Sequence, residues 1–206
     1  MNAPAATPTL WTGFKALIAT PTLPDLGPKP RPDRLPTAEL DARLEHCFQE
    51  QAIAESLRPC LRSAALLWHD HLEASHELSQ QIAGPDGSFL HGLMHRREPD
   101  YGNARYWFHR VGRHEAFREI ARQTTRHLVP AHEHALLARL VPNGLWDPFA
   151  FIAACERVAE TDAADPRRTV LMRVQELEFD ALVAHVLGGS AFPPAPPCPA
   201  APEPEA

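Results

Sequence analysis

Long apolar runs, paired cysteines and an excess of positive charge are all missing from this 206-residue sequence. No window approaches 18 consecutive apolar residues, the length of a membrane-spanning helix, so we expect no membrane partner. The N-terminus lacks the basic start and the sustained apolar core of a secretion signal. The four cysteines are scattered singly without a CxxC pair, which favours reduced thiols and a cytoplasmic location.

The charge of the chain argues against another group of functions. A formal net charge of −6 speaks against general binding to nucleic acid or to anionic membranes. Locally the sign reverses, because residues 95–126 contain eight arginines against four acidic residues. Motifs typical of nucleotide, hydrolase or metalloprotease sites, such as GxGxxG, the P-loop, GxSxG and HExxH, do not occur. A site, if there is one, has to be inferred from the spacing of individual residues.

Proline is concentrated at the two ends of the chain. Fifteen of the 22 prolines fall within residues 1–36 and 193–206, and proline cannot donate the backbone hydrogen bonds of regular structure. We predict a Pro-rich N-terminal segment over residues 1–36, a single helical domain over 37–190 and a disordered Pro-rich tail over 191–206. Both Pro-rich segments are interpreted as tails, with a role as ligands for a partner's groove as the alternative. We expect the N-terminal segment to lie partly along the surface, with five apolar residues as anchors: Leu10, Trp11, Phe14, Leu17 and Ile18.

Apolar residues between these two ends recur at helical spacing, and no stretch shows the alternation of a strand. The pattern predicts an all-α fold, an irregular bundle of about six to eight helices with Pro-rich tails. One long helix is predicted over residues 61–83, in which His71 falls inside the apolar arc. Four residues occupy positions typical of helix N-caps: Thr37, Asp100, Asp147 and Asp165.

His91, His95 and Glu98 have the spacing of metal ligands on one helix face. Two histidines four residues apart can bind one ion from a single helix, and a carboxylate one turn later can complete the set. The imidazole nitrogens must converge to about 2 Å from the ion, so a buried His71 packed against this face would strengthen the site. These residues predict a divalent transition metal, Zn, Fe or Mn. The alternative is a solvated helix face and a core histidine at position 71.

Polar and aromatic residues beside these histidines predict a binding wall for a small polar or anionic ligand. The ligand-binding candidates are Arg96, Arg97, Asn103, Trp107 and Arg110. Guanidinium groups form planar pairs with carboxylate or phosphate, and an indole supplies a stacking surface. His69 and Tyr106 are the candidates for a catalytic acid or base. The alternative is an internal network in which the arginines pair with acidic residues of the protein itself.

The pattern HxxxHRREPDxxNxxYWxxRVGxH extends from residue 91 to residue 114. Together with WHDHLEASHELSQ upstream and WDPFAF downstream, it resembles a family of small soluble helical proteins of bacteria and fungi. The similarity covers about residues 61–187. Gly92, Gly102 and Arg105 depart from the residues typical of that family, which are Ala, a larger residue and Lys. The resemblance implies that the block is one unit, and it implies no reaction, cofactor or catalytic residue.

Three functions remain open at this point. The favoured one is a metal-dependent enzyme that acts on a small polar or anionic substrate. The second is a metal-free binding module for a small anionic ligand. The third is a scaffold protein, in which the block of histidines and arginines is structural and the Pro-rich ends recruit partners. The sequence does not determine the substrate, the reaction or the oligomeric state.

Overall fold

The chain folds as an assembly of helices. The computed structural model describes residues 10–188 and contains ten α-helices, two single-turn 3₁₀ helices and no strand in that range. The all-α prediction is confirmed, whereas the predicted count of six to eight helices is too low. The α-helices are α1 (Leu10–Ile18), α2 (Thr37–Glu50), α3 (Arg58–Trp68), α4 (Leu72–Ser79), α5 (Pro85–Arg97), α6 (Tyr101–Val111), α7 (Ala116–Leu128), α8 (His134–Leu140), α9 (Pro148–Val158) and α10 (Pro166–Val186).

Aspartate side chains begin three of these helices, as the sequence predicts. Asp100, Asp147 and Asp165 each accept a hydrogen bond from a backbone N–H in the first turn of α6, α9 and α10. Such caps satisfy N–H groups that have no partner inside the helix. The N-cap predicted at Thr37 is wrong, because Pro36 occupies the cap position and Thr37 is the first residue of α2.

The single helix predicted over residues 61–83 is also wrong, because the chain breaks in its middle. Helix α3 ends at Trp68 and α4 begins at Leu72. Between them Asp70 has a φ of 60°, the left-handed conformation that interrupts a right-handed helix. The helical wheel therefore fails beyond position 68. His71, predicted inside the apolar arc, is half-buried at the start of α4.

Asp70 is buried between two arginines from distant parts of the chain. Its Oδ2 accepts a hydrogen bond from Nε of Arg31 at 2.8 Å, and its Oδ1 accepts one from Nη2 of Arg97 at 2.6 Å. The same two guanidinium groups donate to the carbonyl oxygens of Trp68 and Leu67, at the end of α3. Burial alone would raise the pKa of Asp70, but the charge of Arg97 and the hydrogen bonds outweigh burial and lower the pKa.

The N-terminal Pro-rich segment packs on the helical body within its described part. Between α1 and α2, Asp25 accepts a hydrogen bond from Nη2 of Arg168 on α10, at 2.7 Å. The folded part therefore extends ahead of Thr37, where the sequence predicts its start. Three residues of α1 lie in the same core as the later helices: Trp11, Phe14 and Ile18. The predicted tail over residues 191–206 lies outside the described residues.

Within the described range, no helix combines the length and the apolarity needed to cross a membrane. A cytoplasmic location and the absence of a nucleic-acid partner stay predictions. The oligomeric state is likewise left open by the single chain.

Helix α5 packs against α3, α4 and α6 and is almost entirely buried. Its closest approach to α6 lies at Gly92, where an added Cβ atom would be 2.9 Å from the ring of Phe108. Such a distance is shorter than van der Waals contact, so glycine allows the two helices to pack this closely. Different sides of α5 therefore face α4, α6 and the interior of the protein.

The first prediction concerns the buried pair of arginines around Asp70. Asp70→Asn keeps the side-chain shape and tolerates the left-handed backbone, but it leaves two buried guanidinium groups without a counter-charge. We expect the free energy of unfolding to fall by about 3 kcal/mol, as is typical when one partner of a buried ion pair is removed. Urea denaturation at pH 7 measures this change.

The matched control is the exposed pair of Glu39 and Arg43 on α2, in which each side chain is 48% exposed. Glu39→Gln should lower the free energy of unfolding by less than about 0.5 kcal/mol. Equal effects of the two substitutions would contradict the structural role assigned to Asp70.

Candidate functional site

Three imidazole rings converge where α4 crosses α5. His76 comes from α4, and His91 and His95 lie one turn apart on α5. One ligand nitrogen from each of the three rings can be chosen so that all three lie within 4.8 Å of one another. The rings of His91 and His95 are stacked with their centroids 4.8 Å apart, and the ring of His76 stands edge-on to both. This group is the histidine cluster of the protein.

Two of these rings have buried nitrogens without hydrogen-bond partners. His91 and His95 are 2% and 7% exposed, and Nδ1 of each lacks a partner among the described residues. Burial, together with the neighbouring imidazoles of His95 and His76, lowers the pKa of His91 to about 4. Burial also lowers the pKa of His95, against the opposing effect of Glu98. Both rings are therefore neutral at pH 7, which is the form that binds a metal.

Two further predicted residues lie directly against the cluster. The indole of Trp107 stacks on His91, with ring centroids 3.9 Å apart and an angle of 15° between the planes. Oε2 of Glu98 lies 3.4 Å from Nδ1 of His95. Glu98 is thus a neighbour of the cluster, although it is not one of the three mutually close ligands.

The outer rim of the cluster contains the remaining predicted polar residues of α6. The guanidinium of Arg110 lies 5.3 Å from the ring centroid of Trp107, and its Nη1 donates to the hydroxyl of Tyr106 at 3.4 Å. Tyr106 and Arg110 are both exposed. Asn103 is exposed as well, and its side-chain amide donates to Oδ2 of Asp100 at 2.6 Å. At the rim, the guanidinium of Arg110 and the phenol of Tyr106 are therefore both exposed to solvent.

His71 and His69 lie apart from this cluster. Nε2 of His71 is 2.8 Å from the carbonyl oxygen of Leu35, a backbone partner of the kind that a core histidine has. His69 is fully buried, and its Nδ1 accepts the backbone N–H of Leu35 at 3.1 Å. Both rings thus anchor the N-terminal segment. His76 takes the place that the sequence gives to His71, because the break at Asp70 changes the direction of α4.

The two neighbouring arginines, Arg96 and Arg97, point into the protein. Nη2 of Arg96 donates to Oε2 of Glu178 at 2.6 Å, and both side chains are fully buried. Arg97 is 2% exposed and is held by Asp70. Neither guanidinium is accessible to a ligand in this conformation. Their placement corresponds to the alternative of internal ion pairs, with acidic partners that the sequence does not identify.

A second group of ionisable residues lies at the other end of α5, and the sequence did not indicate it. Nε2 of His114 donates to Oδ1 of Asp86 at 2.9 Å, and Nε2 of His185 lies 3.7 Å from the same oxygen. The hydrogen bond from His114 lowers the pKa of Asp86. Nδ1 of His114 accepts the backbone N–H of Ala116, so both of its nitrogens are in use.

The two groups differ in what they can do chemically. Asp86, His114 and His185 also have mutually close ligand atoms. A metal on Nε2 of His114 would require the proton on Nδ1 and would abolish its hydrogen bond to Ala116. The histidine cluster has no such conflict. In a tetrahedral site with bonds of about 2 Å, ligand nitrogens are about 3.3 Å apart. Small side-chain rotations would therefore bring His76, His91 and His95 to ligand positions.

Comparison of the chain with protein-family models, with curated proteins and with solved structures gives no match. The resemblance of the block over residues 91–114 to a helical family therefore stays a prediction. The chemistry of the site has to be inferred from its own geometry.

The second prediction uses the buried ring of His69. Burial, reinforced by the charge of Arg31, lowers the pKa of His69 from 6.5 to about 4. The unfolded chain then binds more protons than the native chain between these values, so stability falls as the pH drops from 6.5 to 4. His69→Asn keeps a hydrogen-bond acceptor for the N–H of Leu35. It removes the imidazole that takes up a proton when the chain unfolds. We expect it to reduce the loss of stability over that window by up to about 3 kcal/mol.

Urea denaturation at several pH values between 4 and 7 measures the effect. His46→Asn, on the exposed face of α2, is the control and should leave the pH profile unchanged. Identical profiles for His69→Asn and the unmodified protein would contradict the assignment of a neutral buried ring.

Proposed function

We propose that the histidine cluster binds one divalent transition metal ion, with Zn, Fe and Mn as the candidates, and that the protein is a metal-dependent enzyme. His76, His91 and His95 are the proposed ligands, and the proposed substrate is a small polar or anionic molecule. Three protein ligands leave a coordination position for water or substrate, as in catalytic zinc sites. A metal ion held by these residues would lower the pKa of a bound water molecule towards 7 and so supply hydroxide at neutral pH.

The observation that supports this proposal best is the pair of buried, unpartnered imidazole nitrogens on α5. Polar atoms buried without a partner are rare in native proteins, because each costs about 1–3 kcal/mol. Nδ1 of His91 falls in this class, as does Nδ1 of His95, whose nearest carboxylate oxygen is Oε2 of Glu98 at 3.4 Å; Nε2 of His69, outside the cluster, is a further such nitrogen. Lowered pKa values keep these rings neutral. A metal ion would give such a cluster of neutral rings a function.

Glu98 and Trp107 are assigned supporting roles. Metal-bound histidines usually donate their second ring N–H to a carboxylate or carbonyl, which fixes the tautomer and the orientation of the ring. Glu98 lies close enough to Nδ1 of His95 to hold that proton after a small rotation, leaving Nε2 for the metal. Trp107 stacks on His91 and limits the access of bulk water from the side of α6.

Arg110 and Tyr106 are the residues proposed to contact the substrate. Both are exposed beside the cluster, and Arg110 is the member of the three predicted ligand-binding arginines that faces solvent. Its planar guanidinium would orient a carboxylate or phosphate group. The phenol of Tyr106 would donate or accept a proton at the reacting centre.

The structure gives less support to a metal-free module for anions. Such a module would use the histidines and arginines together, with Trp107 and Tyr106 as a stacking wall, and two of its three arginines, Arg96 and Arg97, are buried in internal ion pairs. A single exposed guanidinium is a weak anion site in water, since exposed ion pairs contribute at most about 1 kcal/mol. A scaffold function stays a prediction that depends on partners of the Pro-rich ends.

The third prediction is the metal itself. Untagged protein should contain about one transition metal ion per chain, and its melting temperature should rise on addition of Zn, Fe, Mn, Co or Ni after treatment with chelator. Substitution of His76, His91 or His95 by Ala should lower metal affinity by more than the ~100-fold typical of replacing a residue that hydrogen-bonds to a metal ligand. Elemental analysis and isothermal titration calorimetry measure content and affinity.

His46→Ala is the control for this experiment, because His46 is an exposed histidine on α2 outside the cluster. It should leave metal content and affinity unchanged. Absence of stoichiometric metal in the untagged protein, together with no thermal shift for any of the five ions, would refute the proposed function.

The fourth prediction tests whether Glu98 supports a metal ligand through a hydrogen bond or is itself a ligand. Glu98→Gln retains the size of the side chain but cannot accept the proton of the His95 ring as well as a carboxylate can. We expect metal affinity to fall about 10–100-fold, with the stoichiometry of one ion retained. Calorimetric titration with Zn²⁺ measures both quantities. Glu77→Gln, on the exposed face of α4, is the control; loss of all metal from Glu98→Gln would instead identify Glu98 as a ligand.

A further inference from the structure

An open groove lies beside the start of α7, between residues 112–118 and 142–149. Its walls are largely apolar and aromatic. Phe117 and Phe149 are half-buried there, and Leu145 is 71% exposed, the most exposed large apolar side chain in the described part of the chain. Aromatic and apolar walls of this kind bind extended Pro-rich segments in many recognition domains.

The groove also carries positive charge. Arg113 and Arg118 line it and are exposed, and neither forms an ion pair with any residue between positions 10 and 188. Asp147, which lines the groove, uses its carboxylate to cap α9 through the backbone N–H groups of Phe149 and Ala150, and the exposed Glu115 lies beside the lining residue His114. An apolar segment with acidic side chains would complement this surface.

The described part of the chain ends beside this groove. The ring centroid of His185, in the last turn of α10, is 4.8 Å from that of His114, which lines the groove. Nδ1 of His185 is 3.9 Å from Glu115, the residue that follows His114. Residues 189–206 therefore begin at the edge of the groove. At about 3.1 Å per residue in a polyproline conformation, the chain can reach at most about 45 Å by position 203. This length is enough for the segment to cross the groove and fold back, which would bring Glu203 and Glu205 to Arg113 and Arg118.

The composition of residues 189–206 matches the groove. This segment contains seven prolines and Phe192, no basic residue, and the two acidic residues Glu203 and Glu205. The N-terminal Pro-rich segment offers a precedent in the same molecule. There an extended stretch is held on the helical body by Arg31, which donates to Asp70 and to the carbonyl oxygen of Trp68, and by Arg97, which donates to the carbonyl oxygen of Asp25.

We propose that the segment over residues 189–206 binds in this groove of its own chain. Its prolines and Phe192 pack against Phe117, Leu145 and Phe149, and its two glutamates pair with Arg113 and Arg118. The contact is independent of the proposed metal site. It covers the most exposed apolar residue of the helical body and gives two unpaired guanidinium groups their partners.

Cys198 allows a direct test on the full chain, because Cys47, Cys60 and Cys155 are buried. Burial raises the pKa of Cys60 to about 11 and that of Cys155 to about 12, so a thiol reagent should attach a nitroxide selectively at position 198. Amide signals of residues 112–118 and 142–149 should then lose intensity relative to the reduced label. Signals of α2, which packs on α1 and α3, should keep theirs.

Charge reversal separates specific binding from proximity. Arg113→Glu with Arg118→Glu should remove the loss of signal, and so should Glu203→Arg with Glu205→Arg. The combination of all four substitutions restores opposite charges and should restore the loss. A rescue of this kind would show that the charges at positions 203 and 205 act together with those at positions 113 and 118.

Two outcomes would overturn the proposal. One is a loss of signal confined to the residues next to position 188, or spread evenly over the surface. The other is found by mixing isotope-labelled chains without nitroxide with unlabelled chains that carry it. Undiminished broadening of the groove signals in that mixture would show that the segment binds a second copy instead of its own chain.

Discussion

The ion pairs of Asp70 with Arg31 and Arg97 determine how the two halves of the predicted long helix are arranged. A helix that ends inside a protein leaves carbonyl oxygens without partners, and the two guanidinium groups satisfy those of Leu67 and Trp68 while they bind Asp70. The left-handed conformation at Asp70 is thus stabilised by tertiary contacts. Because the chain turns here, α4 crosses α5 and brings His76 to the rings of His91 and His95. The same contacts hold the N-terminal Pro-rich segment on the helical body.

Helix α5 links the ion pairs of Asp70 to the histidine cluster. Consecutive residues of α5 have opposite environments: His95 belongs to the histidine cluster, Arg96 is paired with Glu178 on α10, and Arg97 with Asp70. The two buried arginines fix the rotation of α5 about its axis, since a turned helix would leave a guanidinium unpaired at a cost of about 3–5 kcal/mol. With that rotation fixed, His91 and His95 face α4 and α6. Arg96 and Arg97, two of the three arginines that the sequence predicts to bind a ligand, therefore orient the histidines of α5.

Local features of the fold could be predicted from the sequence, and those that depend on distant partners could not. The caps at Asp147 and Asp165 involve residues two or three positions away, so the sequence contains the whole interaction. The pairing of His91 with His95 follows from helical spacing alone. The break at Asp70 depends on Arg31, 39 positions earlier, and on Arg97, 27 positions later. A helical wheel drawn for an unbroken helix over residues 61–83 places His71 on the apolar face, and it therefore gives the position beside His91 and His95 to His71 and not to His76. Glu178, the partner of Arg96, lies 82 positions away and has no local signal.

The sizes of the free energies involved indicate how the histidine cluster is best interpreted. Two buried nitrogens without partners destabilise the native chain by about 1–3 kcal/mol each, in a protein whose total stability is on the order of 5–15 kcal/mol. Apolar side chains at positions 91 and 95 would avoid that loss. Binding of a structural zinc ion contributes roughly 10–16 kcal/mol in zinc-finger peptides, which exceeds such a cost several-fold. The metal ion that we propose would therefore offset the cost of the two rings. The neutral state of both rings, imposed by burial, is the state that a metal requires and an anion site does not.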